Sequence, residues 1–101
     1  ENLLKLTDEL KSEKYLGNME MELFISRISY YYSELNIIHP FREGNGRAIR
    51  EFIRIIGLKN NYGIDWDKAS KEEHHTAIVD SVFIDSEKLK KYFSKIISLS
   101  D

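Results

Sequence analysis

Met21, Phe24, Ile28, Tyr31, Leu35 and Ile38 follow one another at alternating steps of three and four residues, and nothing else in the chain constrains its fold as strongly. Apolar residues with this spacing lie along one side of an α-helix, and that side must be covered by a neighbour. Pro40 ends the pattern, because its ring disfavours a helical residue at position 39 and it brings no amide hydrogen. The chain therefore contains a long, packed helix that stops abruptly just before His39.

The rest of the sequence is helical by the same test. Leu3, Leu6 and Leu10, with Leu4 beside them, predict a short first helix that ends near Gly17-Asn18, residues tolerant of positive φ. A third helix is expected from about Gly46 to about Asn60. Its apolar residues Ile49, Phe52, Ile53, Ile55, Ile56 and Leu58 cover more than one stripe, which reads as the central helix, contacted on several sides. Asn60-Asn61-Tyr62-Gly63 closes it. Ser70 and Glu73 stand at capping-box spacing and open a helix with Ala77, Ile78 and Val82 on one face. Asp85-Ser86 can cap a last helix whose buried stripe is Leu89, Tyr92, Phe93 and Ile96. Strand signals are weak throughout, so the fold class is all-α, a bundle of about five helices with short loops.

With 101 residues and no internal repeat the chain reads as one domain. Hydrophobic residues at 42% and charged ones at 32% exclude the disordered class. A net charge of −2 and the lack of a basic block argue against nucleic acid as a partner. The absence of cysteine excludes disulfides and thiolate metal sites and fits a reducing compartment, so a cytoplasmic location is expected. No apolar run of about 18 residues and no signal-peptide pattern is present, so no membrane attachment is expected. The first residue is Glu1 rather than methionine, which suggests the core of a longer protein.

Between the second and third helices lies the run His39-Pro40-Phe41-Arg42-Glu43-Gly44-Asn45-Gly46-Arg47-Ala48-Ile49-Arg50. A helix that starts at Gly46-Arg47 turns its unpaired amides and positive dipole end toward this loop, which makes an anion site. Gly44 and Gly46 let the backbone approach a phosphate closely. Arg47 and Arg50, three apart, project from one face and can clamp further phosphate oxygens. Glu43 alone would repel phosphate, so its presence there suggests a bridging Mg²⁺. His39, with a pKa near neutrality, suits a general base. Singly, each residue has a plainer reading: a helix-end histidine, a connecting turn, solvated arginines, with Arg54 continuing the same side. Their coincidence in one interhelical loop favours a polyphosphate site.

The same residues resemble the Fic motif at every defined position: histidine-proline-phenylalanine, a variable residue, an acid, glycine-asparagine-glycine-arginine, two residues and a second arginine. The aromatic-rich helix before the motif and the apolar helix after it look like the core of a Fic domain. On this resemblance, residues 1–101 are a Fic-like catalytic core, lacking the N-terminal flap and, on one reading, the family's first helices. The implied reaction is protein adenylylation, transfer of AMP from ATP to a Ser, Thr or Tyr hydroxyl of a target protein with release of pyrophosphate.

Carried over by position, His39 would deprotonate the target hydroxyl, and Glu43 would hold the Mg²⁺. Gly44, Asn45 and Gly46 would form the anion nest, and Arg47 and Arg50 would bind the outer phosphates. Phe41 would plug the core, while Arg42, at the variable position, receives no role. The variant resembling the Doc toxin, which phosphorylates its target instead, carries a lysine where this chain has Gly46. A third reading is a module that binds nucleotide or a partner without transferring anything. The inhibitory serine or threonine, three residues, glutamate pattern of many family members is not found in the sequence, which implies restraint from elsewhere, such as an antitoxin-type protein. Tyr31 is expected in the core with Tyr30 and Tyr32 partly exposed, Trp66 as a packing anchor, and the adjacent His74-His75 without a metal role.

Overall fold

The computed structural model describes residues 3–38 and 45–99. Among them are five α-helices: α1 (Leu3–Ser12), α2 (Met21–Ile38), α3 (Asn45–Lys59), α4 (Lys71–Phe83) and α5 (Glu87–Ile96). The three-four stripe of the sequence forms α2, and this helix, not α3, is the central one. It packs against α1, α3, α4 and α5, and its buried residues spread from Phe24, Ile28 and Leu35 round to Ser29, Ser33 and Asn36. Tyr32 is accordingly as buried as Tyr31, contrary to the expectation that only Tyr31 would be.

The third helix is amphipathic instead. Ile49, Ile53 and Ile56 face inward, whereas Phe52, Ile55 and Leu58 remain 41%, 45% and 45% exposed. Val82, expected on the inner face of α4, is likewise exposed, so that face consists of Ala77 and Ile78.

The first helix also stops earlier than expected, at Ser12. A one-turn 3-10 segment, Lys14–Leu16, follows with positive φ at all three residues (54°, 55° and 63°), while Gly17 is extended at φ −69°. Each left-handed non-glycine residue costs about 1–2 kcal/mol. Burial of the Leu16 side chain offsets that cost, and Asn60 Nδ2 donates to Tyr15 O at 3.0 Å, tying the turn to the end of α3.

The capping box at Ser70 and Glu73 is formed as the sequence predicts, with Glu73 N donating to Ser70 Oγ at 3.1 Å and Ser70 N to Glu73 Oε1 at 3.2 Å. Before α5 the cap is shifted by one residue. Asp85 Oδ1 accepts from Glu87 N at 3.0 Å, and the Ser86 side chain makes no capping bond.

Two strands escape the sequence pattern. β1 (Tyr62–Ile64) pairs antiparallel with β2 (Ile97–Leu99), with Gly63 opposite Ser98. Both are three residues long, too short to show alternation, and β2 continues directly from the last turn of α5. The pairing closes the chain's two halves onto each other through α3, against which β1 packs.

Candidate functional site

The twelve-residue run straddles the boundary of the described structure. His39, Pro40, Phe41, Arg42, Glu43 and Gly44 lie outside the described residues, and with them the expected base, the expected metal ligand, the expected core plug and the first glycine. Its second half opens α3. The helix begins at Asn45, Gly46 is buried, Arg47 is exposed and Arg50 is half-buried. Amides of this first turn have no intrahelical acceptor, so the positive end of α3 points back along the chain toward residue 44.

Arg50 does more than project from the helix. It lines a cavity of about 590 Å³ together with Trp66, Lys71, His74, Ile78 and Tyr92. Three helices, α3, α4 and α5, and one turn converge here. Trp66 belongs to the one-turn 3-10 segment Trp66–Lys68, and its ring packs against Tyr32 at 5.6 Å and against His74 at 6.2 Å. His74 in turn stands 5.4 Å from the Tyr92 ring, centroid to centroid. The anchoring role expected of Trp66 is borne out by these contacts.

Burial dominates the electrostatics at the cavity, and Arg50 modifies it. Burial first, then the Arg50 charge and the neighbouring His75, push His74 down to about 4. Its imidazole is thus neutral at physiological pH. Its Nε2 lies 2.7 Å from the Tyr32 hydroxyl, and a neutral ring that accepts at Nε2 takes the tyrosine proton as donor. Burial drives the Tyr32 hydroxyl far above its usual range, a shift that the adjacent Arg50 guanidinium partly opposes by charge and by hydrogen bonding. Tyr92 is pushed up to about 12, again by burial and against the pull of Arg50. Both phenols consequently stay protonated.

Chemically, the cavity brings the cations Arg50 and Lys71 together with the rings of Trp66, His74 and Tyr92. That combination suits a ligand that carries both phosphate and a flat apolar group. Arg54 takes no part, since Glu51 holds it through two bonds, Arg54 Nε to Glu51 Oε2 at 2.9 Å and Nη2 to Oε1 at 2.5 Å. Tyr32, His74 and Tyr92 were not singled out as site residues by the sequence. One signal for His74 was available: it lies three and four residues before Ala77 and Ile78, on the inward stripe of α4.

Comparison with known proteins adds the following. The model of the Fic/DOC family matches residues 2–56. Protein adenylyltransferase VbhT of Bartonella schoenbuchensis is 40% identical over 83 residues, which is 82% of this chain and 17% of that protein. The probable protein adenylyltransferase Fic of Escherichia coli K12 is 34% identical over 93 residues, 92% of this chain and 46% of that protein. Among solved structures, BepC of Bartonella tribocorum with bound AMPPNP superposes with a TM-score of 0.91 at 26% identity, covering 98% of this chain and 48% of that one. The N-terminal Fic domain of a VirB-translocated effector of Bartonella quintana with bound ADP gives a TM-score of 0.92 at 28% identity, covering 98% and 47%. The chain thus spans less than half the length of each of these relatives.

Proposed function

Because the chain belongs to the Fic/DOC family, we propose that it carries the core of a protein adenylyltransferase, which moves AMP from ATP to a Ser, Thr or Tyr hydroxyl of a target protein. The observation that carries this reading is the position of Arg50, which lines an aromatic-walled cavity from α3, the helix that motif residues 45–50 open. The names of the relatives and the nucleotides bound in the two solved structures support it.

In this reading His39 accepts the proton of the target hydroxyl. The freed oxygen attacks the α-phosphorus, the bond from that phosphorus to the bridging oxygen breaks, and pyrophosphate leaves. Gly44, Asn45 and Gly46 present amides to the phosphate whose charge grows in the transition state. Arg47 and Arg50 bind the outer phosphates and keep the leaving group in line.

A Mg²⁺ fits the donor chemistry. Glu51, the carboxylate within α3, is occupied by Arg54, which leaves Glu43 as the motif's acid, and one carboxylate with phosphate oxygens and water is a usual Mg²⁺ environment. When bound, the ion would neutralise phosphate charge. Restraint by an antitoxin-type protein belongs to the same proposal, through a carboxylate paired with Arg50.

The test is intact-mass analysis of proteins incubated with this chain, ATP and Mg²⁺. A target that gains one AMP, and gains nothing with His39→Ala, is the expected outcome. Equal modification by His39→Ala, or a gain of phosphate alone as a Doc-like kinase would give, overturns it.

A further inference from the structure

The first turn of a helix is the positive end of its dipole, where a carboxylate is favoured and a cation is not. Lys71 holds that place in α4, directly after the capping residue Ser70. It also lines the cavity that Arg50 lines from α3. Two cations from different helices therefore border one space of about 590 Å³, a volume in the range of small-molecule sites.

Neither cation is matched by an acid among the described residues. Arg27, Arg54, Lys88, Lys90 and Lys95 each form an ion pair there, whereas Arg50 and Lys71 form none. Asp67 lines the same cavity but pairs with neither of them. Glu73 is held by Lys95 at 2.8 Å and by the Ser70 amide, and with Glu72 it borders the neighbouring groove between α4 and α5. Lys71 is exposed, so water screens its repulsion from Arg50, while a multiply charged anion between the two is attracted by both. The long lysine stem lets the ammonium follow a phosphate group as a point charge, without the fixed fork of arginine.

We propose that Lys71 is a second outer-phosphate ligand, which meets the terminal phosphate of the nucleotide from α4 while Arg50 meets it from α3. The inference deepens the nucleotidyl-transfer reading above and rests on it, since there Arg50 binds the outer phosphates. Lys71 lies outside the twelve-residue run, on a helix to which no motif residue belongs. Its contact is with the terminal phosphate, so it should count for ATP, less for ADP and not at all for AMP.

The experiment is calorimetric titration of ATP, ADP and AMP, each with Mg²⁺, into the wild-type chain and its variants. Lys71→Gln should weaken ATP about two- to fivefold, the range of an exposed ion pair, and leave AMP unchanged. Lys71→Glu should weaken ATP about tenfold or more, because repulsion replaces attraction, again with AMP unchanged. A glutamate suits the first turn of a helix, so misfolding does not explain a loss in that variant. Lys71→Arg should keep the preference for ATP, and added salt should shrink the gap between wild type and Lys71→Glu. Lys68, on the Trp66 turn but not on the cavity wall, is the control, and Lys68→Glu should leave all three affinities unchanged. If Lys68→Glu weakens ATP as much as Lys71→Glu does, the effect is one of general charge and the Lys71 contact is wrong. Equal weakening of ATP and AMP by Lys71→Glu, or ATP binding that Arg50→Ala weakens and Lys71→Glu does not, also overturns the contact and leaves the adenylyltransferase reading standing. If Arg50→Ala leaves ATP binding intact, the phosphate clamp itself fails, and the Lys71 contact with it.

Discussion

A buried neutral imidazole beside an arginine has a consequence for stability. His74 falls from its ordinary value of 6.5 to about 4 in the folded chain, chiefly through burial and then through the Arg50 and His75 charges. Between those two values the unfolded chain takes up a proton that the folded chain refuses, so stability declines as pH drops through that window and does not change above it for this group. Glu13 acts lower down: its bond to Arg27, against the opposing cost of burial, holds it below 4.5, so its stabilisation is present above 4.5 and lost as pH falls below. Thermal melts should therefore show a declining midpoint between pH 6.5 and 4.5 that His74→Gln largely removes, with the steeper acid loss retained. A wild-type midpoint that stays flat over that interval would contradict the burial of a neutral His74. At this scale the sequence singled out Arg50 and not its neighbours in the cavity. Arg50 is visible because the motif is contiguous, whereas His74 comes from α4 and Tyr92 from α5, 24 and 42 residues further along the sequence.

At the scale of elements, helices were legible and strands were not, because helix signals are local. The α4 start is written in Ser70 and Glu73, and the α2 stripe in six apolar residues, while β1 and β2 exist only by pairing with each other across the chain. The close approach of β1 to α3 depends on Gly57. A Cβ placed there would meet Tyr62 O at 2.9 Å and Ile64 Cδ1 at 3.1 Å, and a backbone oxygen cannot rotate away. Gly57→Ala would gain about 1 kcal/mol of helix propensity and lose about 1–3 kcal/mol to overpacking. Urea unfolding should show net destabilisation, and a more stable variant would mean that β1 moves freely. The first helix is held differently, by polar groups. Arg27 on α2 bonds Glu13 through two nitrogens and Glu9 at 3.2 Å, while the Tyr30 and Tyr31 hydroxyls donate to the same carboxylates at 2.8 Å and 2.5 Å. Arg27→Ala leaves two half-buried acids without their cation, at a cost of about 1–2 kcal/mol. Hydrogen exchange should quicken in α1 and hardly change in α4 and α5. Uniform quickening would show that α1 and the rest unfold as one unit.

Across the whole molecule, the cavity is where the architecture converges. Arg50 comes from α3, His74 from α4 and Tyr92 from α5, the Tyr32 hydroxyl of α2 lies 2.7 Å from His74 Nε2, and Phe93 touches the rings of Tyr32, Trp66 and Tyr92. Such a cavity cannot exist without the core, which is why the sequence could suggest a motif in twelve contiguous residues and not the pocket lined from distant helices. The same dependence couples ligand binding to global stability. A ligand that binds only the folded chain stabilises it by about 2.7 kcal/mol at a hundred times its dissociation constant. For a domain of this size, that corresponds to a rise in melting temperature of about 10 °C or more. ATP with Mg²⁺ should therefore raise the single unfolding transition of the wild-type chain by that order and slow amide exchange in α2, α4 and α5 as well as α3. Arg50→Ala should give a much smaller rise at the same ATP concentration, since the lost affinity enters the same expression. Protection confined to residues 39–50, with no slowing in α4 or α5, would show that nucleotide engages the motif loop alone and that the aromatic cavity plays no part in holding it.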